Sequence, residues 1–119
     1  MGRVVGFELS SQEQEKAAKF YSEVFGWEIS EPEFDYWAVS TEKDPVRTGM
    51  NGGISKGAND YPHGTRIQIA VDSIEETISK AIVNGAMVVR EKMEFDEFYL
   101  ASLVDPTGIG FGLIQSKQD

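Results

Sequence analysis

The chain has no cysteine and only one histidine, His63. The first absence excludes disulfides and thiolate chemistry and fits a reducing compartment. Together the two remove the nitrogen and sulfur donors that most divalent-metal sites rely on. They also exclude a Ser-His or Cys-His nucleophile, apart from one built on that histidine. His63 sits between Pro62 and Gly64 in a turn-rich stretch and reads as an exposed loop residue. A carboxylate-only Mg²⁺ or Ca²⁺ site remains formally open with 20 Asp and Glu, but no EF-hand-like spacing occurs. No apolar run approaches the roughly 20 residues that span a bilayer. Residues 1–5 lead straight into a strand pattern, with neither a long apolar region nor a small-residue cleavage site, so the expected location is cytoplasmic. Basic residues are scarce: 11 Lys and Arg leave a net charge of −9. An acidic surface repels phosphate backbones, so nucleic acid is not an expected partner, and neither is a membrane. The acidic excess reads either as a solubilising surface or as a preference for a cationic or polar ligand.

Against these absences, 119 residues with 40% hydrophobic content suit one globular domain. Val4 to Leu9 predicts a first strand, with Phe7 and Leu9 on one face and Gly6 and Glu8 on the other. Ser10 or Ser11 can open a capping box with Glu13 or Gln14. Ala17, Phe20, Tyr21, Val24 and Phe25 then follow at helical spacing until Gly26 stops the helix. Trp27 to Ile29, Phe34 to Val39 and Thr48 to Ile54 predict three further strands, separated by Pro32 and by an Asp44-Pro45 turn. Lys56 to Gly64 predicts a linker, after which the order restarts. Arg66 to Val71 reads as a strand, and Asp72 or Ser73 caps a helix whose apolar face is Ile74, Ile78, Ala81 and Ile82. Asn84-Gly85 ends that helix. Met87 to Val89, Phe95 to Val104 and Ile109 to Gln115 predict the last strands, the final two joined by a type I turn at Asp105-Pro106-Thr107-Gly108.

The two halves repeat small markers in one order. Each has a capped helix ending in glycine (Gly26, Gly85) and a Glu-Phe-Asp triplet before an aromatic strand. Each closes on a glycine-punctuated strand (Gly52-Gly53; Gly110 and Gly112). The common order implies an internal duplication. The predicted fold class is therefore α+β: two tandem β-α-β-β-β modules, about 1–56 and 64–119, with curved mixed sheets around a cup and helices on the outer face. Neither half could bury much core alone.

The motifs Gly6-Phe7-Glu8-Leu9, Ala18-Lys19-Phe20-Tyr21 and Val24-Phe25-Gly26-Trp27 resemble the opening of the vicinal oxygen chelate superfamily. This superfamily contains glyoxalase I, fosfomycin-resistance enzymes, extradiol dioxygenases and bleomycin-resistance proteins. Val71-Asp72-Ser73-Ile74, Asn84-Gly85-Ala86, Asp105-Pro106-Thr107-Gly108 and Leu113-Ile114-Gln115 resemble its second module. The resemblance covers nearly the whole chain, and the small glyoxalase-related proteins are the most similar subgroup. It implies a ligand cup and a homodimer. It also implies where metal ligands would stand: Gly6 on the first strand, Arg66 on the fifth, Gly112 on the last and, by half-to-half symmetry, a site near Gly53 on the fourth. Glycine has no side-chain donor, and protonated arginine does not ligate a cation. The sequence therefore departs from the family's metal pattern, and neither a metal nor another cofactor is expected.

On the fifth strand Arg66, Gln68 and Ala70 share one face, while Ile67, Ile69 and Val71 should pack under the helix. The expected ligand-binding residues are Gly6, Glu8, Trp37, Gly53, Arg66, Gln68, Tyr99 and Gly112, with the glycines leaving room and the aromatic strands offering a stacking wall. Equally, Glu8 and Arg66 pair with each other and close a small polar core, the aromatics are core or dimer packing, and the glycines serve strand bends. The first functional expectation is metal-free binding of a small molecule, in the manner of bleomycin-resistance proteins. The second is a metal-independent isomerase or lyase acting on a carbonyl compound. Glu8 would be its base, with a pKa raised by burial, and Arg66 would hold an oxygen. The third is an interaction module whose cup is filled by side chains. Glyoxalase I activity is not expected, because there the metal polarises substrate oxygens.

Overall fold

A computed structural model describes residues 2–33, 36–41, 49–56 and 64–117. Phe34, Asp35, the Asp44-Pro45 turn, Thr48 and His63 lie outside the described residues. The described residues contain eight strands and two helices. In chain order these are β1 (Arg3–Ser10), α1 (Gln14–Phe25), β2 (Glu28–Ile29), β3 (Tyr36–Ser40), β4 (Gly52–Ser55), β5 (Gly64–Ala70), α2 (Ile74–Val83), β6 (Met87–Glu94), β7 (Phe98–Val104) and β8 (Gly110–Ser116). Contacts divide the chain into two compact units: residues 6–65, and residues 66–119 with residues 1–5.

In the first unit the strands run in the order β2-β3-β4-β1. β1 and β4 are parallel, and β4-β3 and β3-β2 are antiparallel. The second unit repeats this topology in the order β5-β8-β7-β6, with β5 and β8 parallel and the other pairs antiparallel. The duplication inferred from sequence markers is thus repeated in the strand pairing.

Alternation along the strands sorts the first unit into two faces. Ala18, Val39 and Ile54 form its buried core, with Phe7, Leu9, Trp27, Ile29 and Trp37 packed against them. Of the predicted helix stripe, only Ala17 and Tyr21 turn inward alongside Ala18, whereas Phe20, Val24 and Phe25 are more than half exposed. At about 100° per residue, Phe20 and Val24 lie roughly 200–240° around the helix from Ala18. Apolar spacing had merged two stripes, of which the sheet covers one. The predicted capping box is not formed either. Glu13 is the N-cap without a side-chain bond, and the Ser11 hydroxyl instead accepts from the Glu13 amide at 3.0 Å. Gly26 does stop α1 in the left-handed region (φ 71°), its N–H donating to Ser22 O at 2.9 Å. That reversal folds Trp27 back onto Tyr21, rings stacked at 4.9 Å, and onto Phe7 at 5.7 Å. The Phe-Gly-Trp motif is a hinge that closes the helix onto its own strand.

The second core is Ile74, Ala101, Leu103 and Leu113, with Ile69, Val71, Ile78, Tyr99 and Phe111 against it. Ser73 caps α2 as expected, accepting from the Glu76 amide at 3.1 Å. A second cap comes from outside the helix: Gln115 Oε1 on β8 accepts from the Ile74 amide at 2.8 Å. The predicted apolar stripes are again too wide, since Ile82 is 54% exposed and Ile67 45%. The Asp105 turn forms with Gly108 N–H donating to Asp105 O at 3.0 Å and Gly108 at φ 99°. The Asp105 carboxylate also accepts from the Thr107 hydroxyl and amide and from the Ile109 amide, and its pKa is held low mainly by the Thr107 hydroxyl.

Three strand boundaries depart from expectation by three residues or more, the others by two at most. β4 starts at Gly52, so the expected residues Gly49, Met50 and Asn51 precede it, with Met50 O and Asn51 Oδ1 accepting from Thr41 instead. β6 runs on to Glu94, well past Val89, with two register shifts that carry its charged Arg90-Glu91-Lys92 stretch along the edge of its sheet. β7 starts at Phe98, because a turn with Phe95 N–H donating to Phe98 O at 2.9 Å precedes it.

Candidate functional site

With Phe7, Leu9, Ile54, Trp37 and Val39 packed toward α1, the opposite face of the first sheet carries Gly6, Glu8, Gly53, Ser55, Tyr36 and Ala38. Register fixes their neighbours. Glu8 stands beside Gly53, which stands beside Ala38, and one step along Ser10, Ser55 and Tyr36 form the next row. Gly6 and Gly53 are buried and Glu8 is half-buried. The Ser55 hydroxyl donates to Glu8 Oε1 at 3.3 Å. The Tyr36 ring lies diagonally across Gly53, its phenol end filling the space a side chain at position 53 would need. That cover, and secondarily the negative charge of Glu8, push the Tyr36 phenol up to about 12. The face thus combines a carboxylate acceptor, a serine hydroxyl and a phenol that covers Gly53. Such a set can hold ligand hydroxyl, amine or carbonyl groups, and Glu8 can accept a proton.

In the second unit Gln68, Gly112 and Ser102 form one row across β5, β8 and β7, and Ala70, Ile114 and Leu100 form the next. Gly112 is buried, and the Gln68 amide nitrogen lies 3.4 Å from where its Cβ would be, so Gln68 covers the glycine. Arg66 is half-buried on the same strand.

Two expected residues are not brought to these faces. Trp37 pairs with Ile54 and packs against the α1-side core, opposite Glu8 and Gly53. Tyr99 packs against the Ile74 core, opposite Gln68 and Gly112, with Lys92 and Lys117 nitrogens 4.2 and 5.0 Å from its ring centroid. From the sequence, Tyr36 is expected at most as part of an aromatic stacking wall, and Ser55 has no site role. The same alternation that placed Glu8 would have placed Tyr36, and Ser55 lay one residue past the predicted end of its strand.

Gly6, Gly53 and Gly112 supply no donor and Arg66 is a fixed cation. Among the described residues no group of three His, Cys, Asp or Glu side chains is placed to hold a metal ion. The residues present do not fit a metal at the positions the family uses. Among the described residues no helix is long and apolar enough to cross a membrane.

A family model described as a glyoxalase-like domain matches residues 6–114. A glyoxylase-like domain-containing protein from Didymella fabae is 31% identical over 88 residues, covering 71% of this chain and 69% of that protein. A Streptomyces coelicolor methylmalonyl-CoA epimerase variant in complex with 2-nitronate-propionyl-CoA superposes with a TM-score of 0.68 at 12% identity, covering 98% of this chain and 95% of that one. A glyoxalase/bleomycin resistance protein/dioxygenase superfamily member from Vibrio splendidus 12B01 gives 0.62 at 17% identity, covering 98% and 99%. At these identities the two structures speak to the fold alone.

Proposed function

This chain belongs to the glyoxalase-like domain family, and from that membership we propose that it binds a small organic molecule without a protein-ligated metal. The observation carrying the proposal is the face of the first sheet on which Ser55 bonds Glu8 and Tyr36 covers Gly53, while Gly6, Gly53 and Gly112 offer no side-chain donor to a metal. In this reading Glu8 accepts from the ligand's hydroxyl or amine groups, and the ligand reaches the Gly6 and Gly53 backbone by displacing the Tyr36 ring that covers Gly53. Arg66, Gln68 and Gly112 are the corresponding ligand residues of the second unit. The net charge of −9 suits a cationic ligand. A homodimer in the cytoplasm belongs to the same reading, and light scattering of the purified protein tests the dimer.

The Glu8–Ser55–Tyr36 group also supports a second reading, a metal-independent isomerase or lyase in which Glu8 removes a proton next to a carbonyl. Deuterium incorporation into a carbonyl compound, lost in Glu8→Gln, distinguishes catalysis from binding.

The decisive experiment is a thermal-shift screen against divalent metals, cationic aromatic compounds and small carbonyl metabolites, because a ligand that binds only the folded state raises the Tm by mass action. A saturable shift with an organic compound, diminished in Glu8→Gln, is expected. A saturable shift with a metal, reversed by a chelator, would overturn the metal-free reading.

A further inference from the structure

The second unit holds a pocket that shares no residue with the Glu8 face. Ala70, Val71 and Asp72 stand at the end of β5, Ile114 and Ser116 at the end of β8, and Glu97 and Phe98 at the start of β7. Arg3 and Val5 come from the N-terminal residues that belong to this unit. The pocket is a cleft open to solvent with a volume of about 510 Å³, within the usual range for small-molecule sites. Its apolar lining is Val5, Ala70, Val71, Ile114 and Phe98, and the Phe98 ring is held in place by a stack on Phe95 at 5.2 Å.

Its charged lining has both signs: Arg3 on one hand, Asp72 and Glu97 on the other. Among the described residues no ion pair joins Arg3 to either carboxylate. Opposite charges around an apolar lining, left unneutralised by each other, are matched by a ligand that carries both charges and an apolar body. A simple anion meets two carboxylates, and a simple cation meets the guanidinium.

We propose that this pocket binds a zwitterionic ligand of the apolar or aromatic amino-acid class. The ligand carboxylate pairs with Arg3 and its ammonium with Asp72 and Glu97, while its side chain lies against Phe98 and Ile114. Arginine presents a planar fork suited to a carboxylate, and the ring face of Phe98 accepts an aromatic side chain. The excess of acids makes the ammonium the stronger recognition element.

Isothermal titration of the whole protein with L-phenylalanine tests this, with phenethylamine (no carboxylate) and 3-phenylpropionate (no ammonium) as comparison probes. Saturable one-site binding of L-phenylalanine at millimolar concentration or below is expected, with each truncated probe weaker by about tenfold or more. Arg3→Gln should weaken L-phenylalanine about tenfold and leave phenethylamine unchanged or tighter, whereas Glu97→Gln should weaken both. Both residues are exposed, so the variants should fold, and far-UV circular dichroism checks that they do. Absence of saturable binding, equal binding of phenethylamine and L-phenylalanine, or unchanged binding in Arg3→Gln would each overturn the proposal. None of these outcomes bears on the Glu8 face.

Discussion

Substituting Gly53 with alanine puts a methyl group where the Tyr36 phenol lies. Gly53 is not among the residues with positive φ, so its backbone accepts alanine and the cost is steric alone. Tyr36 can relieve the overlap by turning about χ1, because its side chain is already 37% exposed, but it then loses its seat on the sheet. Fully burying an aromatic side chain is worth about 1.5–3 kcal/mol, and overpacking costs about 1–3 kcal/mol. Since Tyr36 is only partly buried, Gly53→Ala should destabilise by about 1–2 kcal/mol. In a Tyr36→Ala background the obstacle is gone, and Gly→Ala should stabilise by about 0.4–1 kcal/mol through the unfolded chain. The two substitutions should therefore couple by about 2 kcal/mol in a double-mutant cycle. Urea unfolding followed by tryptophan fluorescence measures it, since Trp27 and Trp37 both pack in the core of the first unit. A cost for Gly53→Ala below about 0.5 kcal/mol, unchanged by Tyr36→Ala, would refute the seating of Tyr36 on Gly53.

Other consequences can be checked on the same protein. The Tyr36 phenol has a folded-state pKa raised from 10.0 to about 12, so its contribution to stability is complete below pH 10 and lost as pH rises toward 12. Ultraviolet titration should show a late-ionising component that is lost in Tyr36→Phe and moves back toward ordinary behaviour in Gly53→Ala. Ser73→Ala removes a formed helix cap and should cost about 1 kcal/mol in chemical denaturation; Ser11→Ala should cost less, because Ser11 reaches only the Glu13 amide and α1 has no side-chain cap. Asp105→Asn should lower the Tm by weakening the Thr107 and Ile109 bonds. Because the Asp105 pKa is depressed, its stabilisation is present above the ordinary carboxylate pKa and lost as pH falls through the folded-state value, so the wild-type and variant melting curves should converge in acid.

Much of the fold was legible because it is encoded locally. Gly26, Gly85 and Gly108 mark backbone that needs positive φ, Ser73 marks a helix start, and Asp105 marks a turn; each signal acts within a few residues. Alternation on β1 was enough to put Glu8 opposite Phe7 and Leu9, and residue identity alone left Gly6, Gly53 and Gly112 without a side-chain donor. What required tertiary structure were the choices made by distant partners. α1 buries Ala18 and leaves Phe20 and Val24 exposed because one sheet face covers one stripe of a helix. Trp37 and Tyr99 went to the cores because Trp37 pairs with the buried Ile54 and Tyr99 shares its strand face with the buried Ala101 and Leu103, which an aromatic run by itself does not reveal. Tyr36 came to rest on Gly53, Ser55 on Glu8 and Gln115 on the start of α2 across long sequence separations. Periodicity tells a side chain which face of its own strand it occupies; only the packed chain decides what it meets there.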